Sequence, residues 1–255
     1  MSTWNKKAQE DHMLRLRRGI VGVCAKCGGK GWKVVAGIDE SLDLPNTKRC
    51  SCHKRLERLL DYVEACLPEE FWNAGAVVRK SKQSDLSDVK SYIRKLKRAF
   101  ETGFGLLLIG PNESGKTTAA AAILTHARRL GYSIAYATFD DIMKASNAFD
   151  DDDAAEWLDR IASSDFVVID ELGKEISARE HRAHAIIEHH LRVRWSSKRP
   201  TIVCSNLTVK QIKDKYDKQG ANVTTVLVGR SRTIMMEAHS YRRKKRDEVE
   251  KELFG

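Results

Sequence analysis

Gly105-Leu106-Leu107-Leu108-Ile109-Gly110-Pro111-Asn112-Glu113-Ser114-Gly115-Lys116-Thr117-Thr118 is the stretch that decides the fold. A short apolar strand runs into a loop bounded by glycines, and an alanine-rich helix begins at Lys116. Gly110 to Thr117 fits G-x-x-x-x-G-K-[ST] at every fixed position. A phosphate chain needs this order of elements. Glycines let the backbone wrap closely with its N–H groups inward, and the helix N-terminus adds partial positive charge. Gly110, Pro111, Asn112, Glu113, Ser114, Gly115, Lys116, Thr117 and Thr118 are the predicted nucleotide-binding residues. Lys116 should reach the β- and γ-phosphates of ATP, and the Thr117 hydroxyl should ligate Mg²⁺. Glu113 puts a carboxylate beside the phosphates and is expected to face solvent.

Outward from this loop, short apolar runs alternate with helical stretches. The runs are Gly105 to Ile109, Ser133 to Thr138, Phe166 to Ile169, Thr201 to Ser205 and Thr233 to Met236. Helices are expected over Lys116 to Leu130, Ala154 to Ser163 and Arg179 to Trp195. This alternation predicts an α/β fold with a parallel sheet covered on both faces. The run Phe166 to Ile169 ends in Asp170-Glu171. Asp170 would hold Mg²⁺ and Glu171 would polarise the attacking water as general base. The run Thr201 to Ser205 ends in Asn206, whose amide would sit between the acidic pair and the γ-phosphate.

The N-terminal part reads differently. Cys24-x-x-Cys27 and Cys50-x-Cys52 offer four thiolates, the donor set of a structural Zn²⁺ site. Gly28, Gly29 and Gly31 allow backbone N–H groups to turn toward sulfur, and Lys26, Lys30 and Arg49 offset the charge. His53 is the reserve ligand, and Cys66 and Cys204 read as buried thiols. A segment of about 70 residues has a small core, so the metal would supply much of its folding energy. Trp32 is expected in that core, with a base-stacking surface as the alternative.

Of 255 residues, 45 are Lys or Arg and 35 are Asp or Glu, a formal charge of +10 that suits a polyanionic partner. The apolar fraction, 42%, is that of an ordinary globular protein. The N-terminus lacks the apolar segment of a secretory signal. Phe104 to Ile109, the longest strongly apolar stretch, is too short for a bilayer. The sequence therefore predicts a soluble cytoplasmic protein with no membrane partner. His181, His184, His189 and His190 share one helix and are expected at the surface.

With these motifs placed, the chain resembles the AAA+ helicase loaders of the DnaC/DnaI type and the related IstB transposition ATPases. The resemblance covers roughly residues 90–245. It is carried by Gly110 to Thr118, Phe139-Asp140-Asp141-Ile142-Met143, Val167 to Gly173, Arg199-Pro200-Thr201-Ile202-Val203-Cys204-Ser205-Asn206-Leu207 and Ser240-Tyr241-Arg242. It implies an AAA+ P-loop NTPase sheet in 5-1-4-3-2 order, preceded here by a small zinc-binding domain. It also implies homo-oligomers with ATP at subunit junctions, single-stranded DNA in a central channel, and delivery of a replicative DNA helicase. Lys144 and Phe149 would then face that DNA; the alternative reading is a solvated lysine and a buried phenylalanine. By the same resemblance the zinc module docks the helicase; contact with DNA through Lys26, Lys30, Lys33 and Trp32 is the competing reading.

The resemblance also exposes a departure. Val226 stands where the family carries an arginine that reaches the neighbouring subunit's ATP. Arg230 is the nearest substitute, with Arg232 close by. Arg242 either contacts the nucleotide of its own subunit or belongs to the solvated run Arg242 to Arg246. The expected organisation is a zinc module over residues 1–70, a basic linker over 71–90 and the ATPase domain over 91–255. An IstB-like transposition helper, or an ATP-binding adaptor with little hydrolysis, are the alternative functions.

Overall fold

The computed structural model describes residues 6–39, 44–148, 150–174, 180–217, 221–237 and 250–254. The chain divides into two units, the first ending at Pro68 and the second beginning at Glu69. In the first, helix α1 (Lys6–Ile20) precedes a two-stranded ribbon, β1 (Trp32–Asp39) and β2 (Leu44–Arg49), and helix α2 (Ser51–Glu64) follows. The ribbon is antiparallel, with Trp32 opposite Arg49 and Lys33 opposite Lys48. Helix α2 buries Leu56, Tyr62 and Val63, whereas no residue of α1 is buried. The core of this unit is as small as the sequence implies.

The second unit opens with α3 (Ala74–Lys80), α4 (Leu86–Arg94) and α5 (Leu96–Thr102). Of residues 71–90, expected as a basic linker, 74–80 and 86–90 thus form α-helix. Ala74, Val78, Leu86 and Val89 are buried, and α3 lies so close to the later helix that carries His126 that a Cβ on Gly75 would meet the His126 ring at 2.8 Å. The basic residues that suggested a linker occupy the outer face of that packing. Helices α4 and α5 are separate because Lys95 leaves helical dihedrals (φ −114°, ψ 23°).

The remaining elements alternate as the sequence predicts. They are β3 (Gly105–Ile109), α6 (Lys116–Arg129), β4 (Ile134–Thr138), α7 (Phe139–Ala145), α8 (Asp152–Ser163), β5 (Phe166–Leu172), α9 (Glu180–Ser196), β6 (Thr201–Ser205), α10 (Val209–Tyr216), α11 (Val223–Gly229) and β7 (Ser231–Met235). The strands form one parallel sheet in the order β4-β5-β6-β3-β7. Counted from the strand before the loop, that is 2-3-4-1-5, the expected 5-1-4-3-2 read from the other edge. Leu107, Leu108, Val167, Val168, Ile169, Ile202 and Cys204 have almost no exposed surface. These strands are therefore covered on both faces, which their unbroken apolar runs require. Ala119 to Ala122 are fully buried in α6; small side chains let that helix approach the sheet closely. Among the described residues, no helix is long and apolar enough to cross a membrane.

One buried cation ties the lower end of this unit together. Arg194 is completely buried. Its guanidinium donates to the carbonyls of Ile161 (2.8 Å), Ala162 (3.2 Å), Ser164 (2.8 Å) and Pro200 (2.8 Å) and to Thr201 Oγ1 (2.9 Å). It thereby satisfies orphan carbonyls at the end of α8, where a cation also favours the helix dipole. Arg194→Met would leave these acceptors buried and unpaired, at about 1–3 kcal/mol for each that finds no water. The variant is expected to lose at least about 3 kcal/mol in urea unfolding monitored by circular dichroism. Loss below about 1 kcal/mol would show that water replaces the guanidinium.

Candidate nucleotide and metal sites

Parallel pairing brings the ends of β5, β6 and β3 side by side, and the three sequence motifs are those ends. The loop from Gly110 to Gly115 leaves β3, and two constraints set its glycines. A Cβ on Gly110 would lie 2.1 Å from the Met236 carbonyl oxygen just beyond β7, while the Met236 N–H bonds the Ile109 carbonyl at 2.7 Å. Gly110 is thus needed for the passage of the neighbouring chain as well as for a ligand. Gly115, at φ 86°, caps α6 in the left-handed region. Glu113 also has positive φ (64°) and is exposed, so its carboxylate faces solvent as expected.

Lys116 is buried. Its Nζ donates to the carbonyls of Gly110 (2.9 Å) and Pro111 (2.6 Å) and to Ser114 Oγ (3.2 Å). The ammonium therefore sits inside the turn of the loop. Burial lowers its pKa, and the Asp170 carboxylate opposes that shift. A buried ammonium ringed by carbonyl dipoles is a fit partner for phosphate oxygens, which would offer stronger acceptors. Thr117 and Thr118 follow in the first turn of α6, partly exposed.

Asp170 is buried at the end of β5. Its Oδ2 accepts from the Tyr136 hydroxyl (2.9 Å) and its Oδ1 from the Glu171 N–H (2.8 Å). Burial and then Asp170 hold the Tyr136 pKa far above that of free tyrosine, so the phenol remains a donor. Tyr136 was not singled out by the sequence reading; its alternation within β4 looks like that of any buried strand residue. Beside these two donors and the Cys204 thiol, Asp170 has a lone pair left for the water shell of a hard cation. Together with the Thr117 hydroxyl this donor set suits Mg²⁺.

The register of β5 on β6 slips between Ile169↔Val203 and Leu172↔Ser205. One extra β5 residue is accommodated there, a bulge of the kind that re-aims side chains at functional sites. It sets Glu171 at φ 61°. Ser205 Oγ donates to the Leu172 carbonyl (2.6 Å) and fixes the far side of the bulge. Glu171 is exposed, and its Oε1 pairs with Lys174 Nζ at 2.7 Å. At the end of β6, Asn206 Nδ2 donates to Asn112 Oδ1 in the loop (2.7 Å). Burial pushes the Cys204 thiol up, which keeps it neutral.

The remaining predicted residues lie elsewhere. Val226 is buried. Arg230 caps α11, and its carbonyl accepts the Gly105 N–H at 2.7 Å. It therefore sits at the start of β3, the end opposite the loop, and at about 3.3 Å per residue it is roughly 16 Å from the phosphate site of its own chain. Its guanidinium lies over the Trp195 ring, 5.4 Å from the centroid. Arg232 pairs with Asp88 at 2.8 Å. Lys144 forms an ion pair with Asp140 one turn earlier on α7. Phe149 and Arg242 lie outside the described residues, as does the side chain of His181. His190 is buried, in contrast to the surface position expected for this set of histidines, and burial pulls its pKa down to about 4.

In the first unit, the sulfurs of Cys24, Cys27, Cys50 and Cys52 all lie within 4.8 Å of one another. The four thiols are free, not disulfide-bonded. Four sulfurs each about 2.3 Å from one Zn²⁺ would stand about 3.8 Å apart along the tetrahedron's edges. Cys24–Cys50 is 3.9 Å and Cys27–Cys52 is 3.6 Å. The Gly31 N–H donates to Cys27 Sγ at 3.2 Å, the outer-shell bond expected from the glycines. His53 takes no place in this cluster; its Nδ1 lies 3.3 Å from Glu57 Oε1. Trp32, expected in the core, is 43% exposed.

Against known proteins, the model of the IstB-like ATP binding protein family matches residues 82–249. Among solved structures, DnaI is similar at 20% identity and a TM-score of 0.58, over 67% of this chain and 94% of that one. The DnaC helicase loader is similar at 21% identity and a TM-score of 0.56, over 66% and 99%. The replication initiator DnaA bound to AMPPCP and single-stranded DNA is similar at 18% identity and a TM-score of 0.53, over 73% and 56%. At these identities the likeness shows a shared fold. No curated protein matches the chain.

Two outcomes follow from the site geometry. Tyr136→Phe should leave nucleotide affinity within about threefold but raise the Mg²⁺ concentration for half-maximal turnover severalfold, since Asp170 loses a bond of about 1 kcal/mol. An unchanged magnesium titration would show that the phenol does not orient the carboxylate. Chelation of zinc should unfold residues 5–68, read as lost far-UV dichroism and new proteolytic cuts there. The cysteine module would have another basis if dichroism and cutting stayed the same after the metal was shown to be gone.

Proposed function

The chain belongs to the IstB-like ATP binding protein family, and on that premise we propose that it hydrolyses ATP to load a replicative DNA helicase onto single-stranded DNA. The observation that carries the hydrolytic part is the meeting of the three strand ends. Lys116 occupies the turn of the loop, Asn206 reaches that loop through Asn112, and Asp170 and Glu171 close the adjacent strand.

The roles follow from chemistry at each position. Lys116 exchanges the Gly110 and Pro111 carbonyls for phosphate oxygens. Thr117 and Asp170 would hold Mg²⁺, and that ion would supply neutralisation of phosphate charge. Glu171 accepts the proton of the attacking water once Lys174 releases it. Asn206 orients that water, with its amide already fixed toward the loop. Arg230 lies too far away to act in its own subunit, so a contribution to hydrolysis would pass to a neighbour in a homo-oligomer. Helicase loading is supported by the likeness to DnaI and to the DnaC helicase loader, and DNA binding by the basic charge and the likeness to DnaA. Lys144 and Phe149 remain the proposed DNA contacts of this unit, and Arg242 a proposed nucleotide contact.

A second reading, an ATP-bound adaptor with little turnover, is favoured by the same geometry. Val226 is buried where an arginine is expected, Arg230 lies against Trp195, and Glu171 is paired with Lys174. Turnover of the Glu171→Gln variant separates the two. Hydrolysis predicts a drop of about 10²–10⁴ with ATP still bound, measured with helicase and single-stranded DNA present. Equal turnover in the two proteins would leave only the adaptor. Lys116→Ala should abolish helicase transfer to circular single-stranded DNA. Transfer that persists without detectable nucleotide binding would defeat both readings. A preference for duplex over single strands would point to the transposition helper.

A further inference from the structure

The first unit presents a surface that its own fold does not explain. Trp32 opens β1 and is 43% exposed. The guanidinium of Arg49, its partner across the ribbon, lies over the ring at 5.3 Å from the centroid. Val34, two residues on and on the same face, is 71% exposed. On the other face, Lys33 stands directly opposite Lys48, and both are exposed. Like charges directly opposed across a ribbon weaken the pairing, and among the described residues neither lysine has an ion-pair partner. Lys26 and Lys30 extend the charge over the exposed cysteine turn. Residues 21–35 and 47–49 carry five Lys/Arg and no carboxylate.

We propose that the cysteine-end of this ribbon binds single-stranded nucleic acid that passes round it, with Trp32 stacking on a base on one face, Lys33 and Lys48 contacting phosphates on the other, and Lys26 and Lys30 contacting phosphates at the cysteine turn. The chemistry fits on two counts. An exposed indole backed by a guanidinium is a rigid stacking platform, and stacking needs an unpaired base. Arg49 is paired with Glu57, but Lys33 and Lys48 have no ion-pair partner among the described residues; unpaired cations suit a phosphate backbone, and an anionic strand would relieve the Lys33–Lys48 repulsion. Nothing in this proposal requires ATP, so it stands or falls apart from the function proposed above.

The test uses the full chain with zinc and without nucleotide. Fluorescence anisotropy follows a labelled oligodeoxythymidylate, with oligouridylate and duplex DNA as further arms. Binding to either single strand is expected, weaker to duplex, and falling steeply with salt. Trp32→Ala should weaken it by roughly 5- to 150-fold, and Trp32→Phe should restore most of the loss. Lys33→Gln with Lys48→Gln should reduce the slope of log affinity against log salt by about 1.4. Zinc content, measured for every variant, confirms that the module is intact. If the zinc-loaded Trp32→Ala and double-glutamine proteins bind as tightly as the parent, the proposal is overturned. Tight duplex binding with the same dependence on Trp32 would remove the stacking argument. A loss of helicase capture with unchanged DNA affinity would assign the face to a protein instead.

Discussion

Pairing of three parallel strands that are buried on both faces governs the arrangement of the ATPase unit. Inside such strands there is no place for an unpaired polar side chain, and β3, β5 and β6 accordingly carry apolar runs of nearly zero exposure. Chemistry is confined to where the strands stop. Because β6 lies between β5 and β3, stopping all three at the same level sets an acid pair, an amide and a phosphate loop in one row. The polar residues at the margin are held by partners: Asp170 by Tyr136 and its own chain, Ser205 by Leu172, Asn206 by Asn112. A sheet of this kind specifies its site by exclusion as much as by attraction.

At that margin the backbone is under tension. Among the described non-glycine residues with positive φ, Glu113 and Glu171 both belong to this site. A left-handed conformation costs a side-chain-bearing residue about 1–2 kcal/mol, and persists where surrounding bonds over-determine it. For Glu171 those bonds are the bulge against β6 and the Asp170 contact. For Glu113 they are the tight turn in which Lys116 draws two carbonyls inward. A triphosphate would compete with those carbonyls for Lys116, so binding and loop conformation are coupled through one ammonium group.

Much of this was legible before the structure. All five sheet strands and helices α6, α8 and α9 lie within a few residues of their predicted bounds, because each is a strongly periodic or wholly apolar run. Residues 71–90 were misleading: charge on the outer face of α3 and α4 imitates a linker, and burial of Ala74 and Val78 shows only once α6 is in place. The break at Lys95 between α4 and α5 is marked in the chain by no glycine or proline. Tyr136 escaped notice because its hydroxyl partner, Asp170, is brought near only by strand pairing. Arg230 was found by counting along the chain, but its distance from the loop depends on which end of β3 it meets.

Trp32 is the instructive reversal. In a small unit, an indole is ordinarily drawn inward because few other residues can supply apolar area. Here four sulfurs set at zinc-like spacing would take over that task once they hold a metal, supported by Leu56, Tyr62 and Val63 of α2. A module closed by metal coordination does not need its largest aromatic residue for folding. A bound zinc would also explain why a short ribbon can tolerate Lys33 facing Lys48: the cost of opposed charge is small beside the roughly 10–16 kcal/mol that structural zinc can contribute to a peptide of this kind. Stability drawn from one ion would leave the strand surfaces free of a folding role.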